Sequence, residues 1–476
     1  MKKQICIMLI LVMVFGMCAC TGNGDVVSNG DDASGLRVGF GREMIMPKST
    51  VRISGGGDES RLSTGFLDYL YVTCIAVTDG EGETVLIYTQ DLISTNESYL
   101  KDARQSISEA TGIAEDHIMM SATHIHSGPA IATGSSEGIA DYRELHKKAV
   151  VQAAQTALED RSSAEVYIGS TQTDGLTFVR HYLLSNGTYA GSNFGDFNSG
   201  TIVSHAAEAD QEAQIIKFSR AAGDKKDILM MNFGVHPCFF GATNNTVLTA
   251  DLVGATRDYI ETQTGSLVAY FTSDAGNQSC SSKIKGEEVA ADYKNYGEIL
   301  GQYVIDTLSG LSKIEGSAVQ IKQQKYTADS NKEKLEMLGM AKEVVQAYKT
   351  SGAAAADPLA VQYGFSSIHE ARAIVSRLAL DDTLSFDLNV LSIGNHLSLI
   401  LAPYEMFAAN GMYIKENTPY DMTFLVTCAN GDAGYLPSDA AFEHGCYEVY
   451  ITKCVRGTAE SVADTLLDML TELKNG

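Results

Sequence analysis

The stretch Ser121-Ala-Thr-His-Ile-His-Ser-Gly-Pro129 follows a short apolar run, Ile118-Met-Met120, and ends in glycine and proline. That order reads as a β-strand running into a turn. Side chains two apart on a strand share a face, so His124 and His126 are expected to point together at the strand's end. Two convergent imidazoles can both ligate a metal, or one can hold the metal while the other moves a proton. Taken alone, the motif is equally compatible with two hydrogen-bonded histidines that bind nothing.

Outward from this stretch, strands and helices interleave. Apolar runs at 69–77 and 84–89 flank Asp79-Gly-Glu-Gly-Glu83, a hairpin signal, and helical spacing follows over 97–111 and 142–160. Asp91, just past the second run, is expected to cap a helix. The nearly all-apolar run 228–235 reads as a strand covered on both faces and ends Phe233-Gly-Val-His-Pro237. A histidine again stands at a strand's end. A helix over 250–264 and a buried strand over 267–272 lead into the loop Ser273-Asp-Ala-Gly-Asn-Gln-Ser279. Helices are expected over 287–311, 331–350 and 368–380, with Ser351-Gly-Ala-Ala-Ala-Ala-Asp-Pro358 as a flexible joint or lid. A hairpin spans Gly394-Asn395, Pro403-Tyr-Glu-Met-Phe407 opens a helix, and Asn430-Gly-Asp-Ala-Gly-Tyr435 is a loop ending in an exposed tyrosine. Arg180, near the loop at 185–188, is either a surface cation or an anchor for a substrate oxygen. The interleaving argues for α/β architecture, mixed β-sheets flanked by helices in a single large domain. Polar motifs at successive strand ends favour a single-site enzyme over a structural protein.

Composition sets the boundaries of that reading. The 476 residues are 45% hydrophobic and 20% charged, enough to bury a large core. A formal charge of −24 suits neither nucleic acid nor an anionic membrane surface. Lys2-Lys3 and the apolar run 5–17 have the shape of a bacterial signal peptide, too short for a convincing transmembrane anchor. The run ends Met17-Cys-Ala-Cys20, which resembles a lipobox with methionine in place of the usual leucine. Residues 1–19 are therefore expected to be removed, Cys20 lipidated, and residues 20–35 a flexible tether between lipid and an exported domain over 36–476. Beyond Cys20 there are six cysteines and no CxxC pair; Cys446 and Cys454 are near enough in sequence to consider as a disulfide.

Together, Ser-Ala-Thr-His-Ile-His-Ser-Gly-Pro, Phe-Gly-Val-His-Pro and Ser-Asp-Ala-Gly-Asn-Gln-Ser, in this order and spacing, resemble the neutral (alkaline, non-lysosomal) ceramidase family of zinc amidohydrolases. The first motif departs from the family's HTHSGP only at Ile125. The resemblance runs from Leu36 to the C-terminus and corresponds to the family's catalytic domain, without its C-terminal immunoglobulin-like domain. It implies one Zn2+ held by His124, His236, Glu405 and Tyr435, the last two lying in segments similar to the family's PGEF and GYVTT. Tyr447 falls where the family has its second site tyrosine; beside such a zinc set His126 is placed to act as proton carrier, and Arg180 and Tyr447 are the catalytic candidates for stabilising an oxyanion or orienting substrate. Ser279 and Asn277 fall at substrate-binding positions, although the family's GDVSPN is Gly276-Asn-Gln-Ser-Cys-Ser here, lacking its aspartate and proline. The implied activity is sphingolipid hydrolysis: cleavage of the N-acyl bond of ceramide or a related N-acyl lipid by attack of zinc-bound water. Alternatives are a zinc amidase acting on a cell-wall or amino-sugar amide, or a non-catalytic binding lipoprotein on the same fold. The partners expected are the amide substrate and a membrane reached through Cys20, with no nucleic acid.

Overall fold

In the nine-stranded sheet, Arg37–Met44 pairs antiparallel with Tyr71–Thr78, which continues into Thr84–Gln90 and then, in parallel, Ile118–Ala122. On its other side the sheet runs through Ser162–Gln172 and Glu212–Arg220 to Ile228–Phe233 and its parallel neighbour Leu267–Thr272. A second, four-stranded sheet holds Val319–Asp329, Thr383–Ile393, Leu397–Leu401 and Met422–Val426, its last pair parallel. This computed structural model describes residues 35–55, 61–132, 138–221, 223–241 and 245–476. The signal peptide, Cys20 and nearly all of the expected tether lie outside the described residues. Among the described residues no helix is long and apolar enough to cross a membrane.

The two sheets pack face to face. Val38, Ile75, Ile87, Ile216 and Met230 from the larger sheet share one core with Leu391, Leu399, Phe424 and Val426 from the smaller. The Phe271 and Phe424 rings meet edge-on at 5.8 Å across that layer. On the outer face of the large sheet, helices Glu97–Thr111, Ile139–Glu159, Asp251–Thr264 and Tyr293–Thr307 bury a second core. Helix Thr458–Asn475 covers the outer face of the small sheet, with Val462, Leu466 and Leu470 against Val390 and Ile400. The strands covered on both faces, such as Thr84–Gln90, Ile228–Phe233, Leu397–Leu401 and Met422–Val426, are buried throughout and read as mostly apolar runs, whereas Ser162–Gln172 and Val319–Asp329 stay at least partly exposed over most of their length and are largely polar. The expected α/β class with mixed sheets flanked by helices is the observed one.

Several local expectations change. Asp91 caps no helix; Asn96 does, accepting the Tyr99 amide at 2.8 Å, while Asp91 receives both terminal nitrogens of Arg257 at 3.2 and 3.0 Å. Residues 351–358 form no open joint: Gly352 at φ +76° separates helix Leu338–Ser351 from helix Ala353–Gln362, which carries Pro358. Alanine is the best helix former, so the run 353–356 continues into structure. These helices and Ile368–Arg377 share a small core of their own around Ala341, Ala360 and Ile374. The six described cysteines are free, so Cys446 and Cys454 are not bridged.

Candidate metal centre

The carboxyl ends of the parallel strands converge on one point, as ligand sites in α/β sheets do. Strand Ile118–Ala122 ends before the histidines begin. His124 has φ +64°, in the left-handed region, so the strand pleat does not align the pair. A turn does, bringing the His124 and His126 rings to 5.0 Å, with His236 4.8 Å from His124 and 5.5 Å from His126. One nitrogen from each lies within 4.8 Å of the others.

Each imidazole is tied down on its far side. His124 Nδ1 donates to the Ile93 carbonyl at 2.9 Å, His126 Nδ1 to Gly55 at 2.8 Å, and His236 Nδ1 to Ala275 at 2.6 Å. A carbonyl only accepts, so in the neutral ring the proton resides on Nδ1 and the Nε2 lone pair faces inward. Gly55, at φ +86°, lies so close beneath His126 that a Cβ there would come 2.5 Å from its Cα.

Glu405 completes the group: its Oε2 is 3.2 Å from both His124 Nε2 and His236 Nε2. It does not open a helix. It sits in the short strand Tyr404–Met406, and the helix starts at Ala408 with Phe407 as its N-cap. This strand pairs in parallel with Gly434–Leu436, placing Tyr435 directly beside Glu405. The expected exposed loop tyrosine is thus a half-buried strand residue whose ring stacks on His236 at 6.3 Å. Tyr447 lies edge-on to it at 6.0 Å.

Arg180 arrives between two short strands, Phe178–Val179 and His181–Leu184. Its Nη2 donates to the Gly276 carbonyl at 2.9 Å and to the Tyr435 hydroxyl at 3.2 Å. Behind it stands Glu448, which sequence reasoning did not single out. Glu448 Oε1 accepts from Arg180 Nε at 2.8 Å, and Oε2 is 2.7 Å from His181 Nε2. Its neighbour Tyr447 was the available clue, since the helix Tyr447–Ile451 turns residue 448 toward the Arg180 side. Asn277 Oδ1 accepts the Ala408 amide at 3.0 Å and so holds the start of the next helix, while its carbonyl accepts the Arg180 amide. Ser279 lies beyond Arg180, at the wall of an adjoining cavity.

The electrostatics separate the members. Burial, with His124 and His236 nearby, pushes His126 well below the usual imidazole range; burial and the Arg180 charge take His236 down to about 4. Burial would raise Glu405, but His124 and His236 outweigh it and hold the carboxyl well below its usual range. Burial likewise opposes charge on His124, where Cys428 and Glu405 prevail and raise it. Burial lifts Tyr447 to about 12, so it stays a hydroxyl donor. Arg180 is raised, Glu448 and Tyr435 outweighing its burial, and is permanently cationic.

His124 Nε2, His126 Nε2, His236 Nε2 and Glu405 Oε2 are all buried, and apart from the 3.2 Å approach of the carboxylate to the His124 and His236 rings none has a hydrogen-bond partner. Orphaned polar atoms are costly to bury, each by about 1–3 kcal/mol. Three of them within 4.8 Å of one another, with Glu405 Oε2 3.2 Å from two, fit a cation. The donor set, imidazole nitrogens plus a carboxylate, suits zinc.

The fold and this centre define an α/β protein with a buried, metal-competent group at the ends of its parallel strands. No protein-family model and no curated protein matches the chain. Solved structures do. Neutral ceramidase from Pseudomonas aeruginosa superposes with a TM-score of 0.67 at 16% identity, covering 93% of this chain and 75% of that one. A ceramidase complexed with C2 gives the same figures. The chain has the neutral ceramidase fold, as the motifs imply.

Proposed function

We propose that this chain is a zinc-dependent amidohydrolase that cleaves the N-acyl bond of ceramide or a related N-acyl lipid. The observation that carries the reading is the buried cluster of three imidazole nitrogens and the Glu405 carboxylate, with no other hydrogen-bond partners, in a fold shared with ceramidases. His124, His236 and Glu405 would hold the ion, with Tyr435 beside them. Zinc, when bound, supplies Lewis acidity and brings the pKa of a coordinated water to about 7. His126, kept neutral by burial, accepts the water proton and returns it to the leaving amine. Arg180 and the Tyr447 hydroxyl donate to the substrate carbonyl oxygen as it gains charge. Asn277 fixes the Arg180 backbone, and Ser279 offers a hydroxyl to substrate beyond it. Lys2-Lys3, the apolar run to Met17 and Cys20 support export and lipid anchoring of the same enzyme.

Metal analysis and turnover of labelled ceramide, with and without chelator, test the reading. Less than one zinc per chain at neutral pH would sink it. His124→Ala is expected to lose both zinc and turnover. His126→Ala is expected to keep zinc while the rate falls about 10²–10⁴-fold, the usual worth of a proton carrier.

A further inference from the structure

A cavity of about 350 Å³ opens directly beyond Arg180, and its chemistry is polar. Tyr182, Ser279, Ser281, Lys283 and Lys285 line it with Arg180. The antiparallel pairing of Phe178–Val179 with Gln278–Ser279 brings Arg180 and Ser279 to one wall of it. The loop that carries the lysines is fixed in place. The Lys283 amide donates to the Tyr182 hydroxyl at 2.9 Å, and the Ile284 amide to Ser282 Oγ at 3.0 Å. Ser282 Oγ in turn donates to Glu287 Oε2 at 2.6 Å, and His205 Nε2 lies 2.8 Å from the same oxygen. The Glu287 carboxylate is thereby engaged by His205 and Ser282, while Lys283 and Lys285 form no ion pair among the described residues. Glu288, exposed at the rim, is the acid that opposes them.

In a chain of formal charge −24, this cavity sets serine and tyrosine hydroxyls beside two exposed lysines without an ion pair, next to the Arg180 that also reaches Tyr435. A hydrocarbon chain placed there would strip water from these groups and return no hydrogen bonds. We propose that this cavity is a subsite for an anionic head group. The substrates are then N-acyl amides bearing a carboxylate, sulfonate or phosphate on one side of the scissile bond, in preference to neutral ceramide. The serine hydroxyls and lysine ammoniums donate to the anion, and Arg180 stands between it and the amide. This inference rests on the amidohydrolase reading.

The test compares N-dodecanoylglycine with its neutral analogue N-dodecanoylethanolamine on the zinc-loaded full chain. We expect kcat/KM to favour the glycine amide about tenfold, as charge-assisted hydrogen bonds would give. The double variant Lys283→Gln, Lys285→Gln is expected to raise KM for the glycine amide by a similar factor while leaving kcat and the ethanolamide KM unchanged. Equal kcat/KM for the two amides in the wild type, or an equal loss on both in the variant, overturns the subsite. If neither amide is cleaved, the amidohydrolase reading fails, and calorimetric binding of the same two probes decides the subsite: tighter binding of the anion supports it, and equal binding overturns it.

Discussion

Glu448 is buried yet ionised, its carboxyl brought down from 4.5 to about 2 because Arg180 and His181 outweigh the cost of burial. Arg180 Nη2 lies 2.5 Å from Oε1, His181 Nε2 2.7 Å from Oε2, and Arg180 reaches Tyr435 from the other side. The acid therefore fixes the direction in which the guanidinium faces the centre. A depressed carboxyl contributes stability that is present above its unfolded value and lost as pH falls through the folded one. At 1.36 kcal/mol per unit, the drop from 4.5 to about 2 makes about 3 kcal/mol, lost between those pH values. Urea unfolding across that range is expected to show this loss in the wild type and not in Glu448→Gln. At neutral pH, Glu448→Gln is expected to keep its zinc and lose about 10²-fold in kcat, the scale of one misplaced oxyanion donor. Retention of full activity would show that Arg180 needs no such partner. None of this was legible in the sequence, where an acid following a tyrosine looks like any helix acid. The histidines were legible, because glycine, proline and an apolar run bracket each of them.

Glu405 and Tyr435 meet through two strands of three residues each, Tyr404–Met406 and Gly434–Leu436. Strands this short have no periodicity to read, so the helix signal beginning at Ala408 extends backward over Glu405 in a sequence reading. Gly276 permits the arrangement: its amide donates to the Met406 carbonyl at 2.8 Å, and a Cβ would come 2.4 Å from the Glu405 carbonyl oxygen and 2.7 Å from that of Met406. Neither contact is with a flexible side chain, so the strand must move. Gly276→Ala is expected to cost about 1–3 kcal/mol in denaturant unfolding, the usual price of overpacking. It is also expected to weaken zinc about tenfold or more in a chelator competition, as loss of support around metal ligands does. Unchanged zinc affinity would mean that the centre does not depend on this strand's position. The segment 351–358 teaches a related lesson. Its glycine is a true break, but the alanines after it belong to a helix that packs into a separate small core.

At the scale of the molecule, the centre exists because two sheets are pressed together. The Thr427 amide donates to the Thr272 carbonyl at 3.0 Å, and Ser121 bridges to Ala429, so strand ends from both sheets share backbone hydrogen bonds beside the histidines. Phe424, fully buried between the sheets, is expected to cost about 3–5 kcal/mol when cut to alanine. Because it loosens the same interface, Phe424→Ala is also expected to lower zinc affinity measured at denaturant concentrations well below the unfolding midpoint. A stability loss with undiminished affinity would uncouple the core from the centre. The sequence by itself determined the fold class, through apolar runs and helical spacing, and offered the candidate donors of the centre, through histidines, glutamate and tyrosine set in recognisable motifs. Those signals are local, and the fold they specify is shared with the solved ceramidases at 16% identity. Only the tertiary structure decided which ends meet and which partners stand behind them. His124 and Cys428 touch at 3.4 Å across 304 positions of chain, and Arg180 finds Glu448 across 268. No local propensity encodes such pairs; they follow from burying two sheets against each other in a single register.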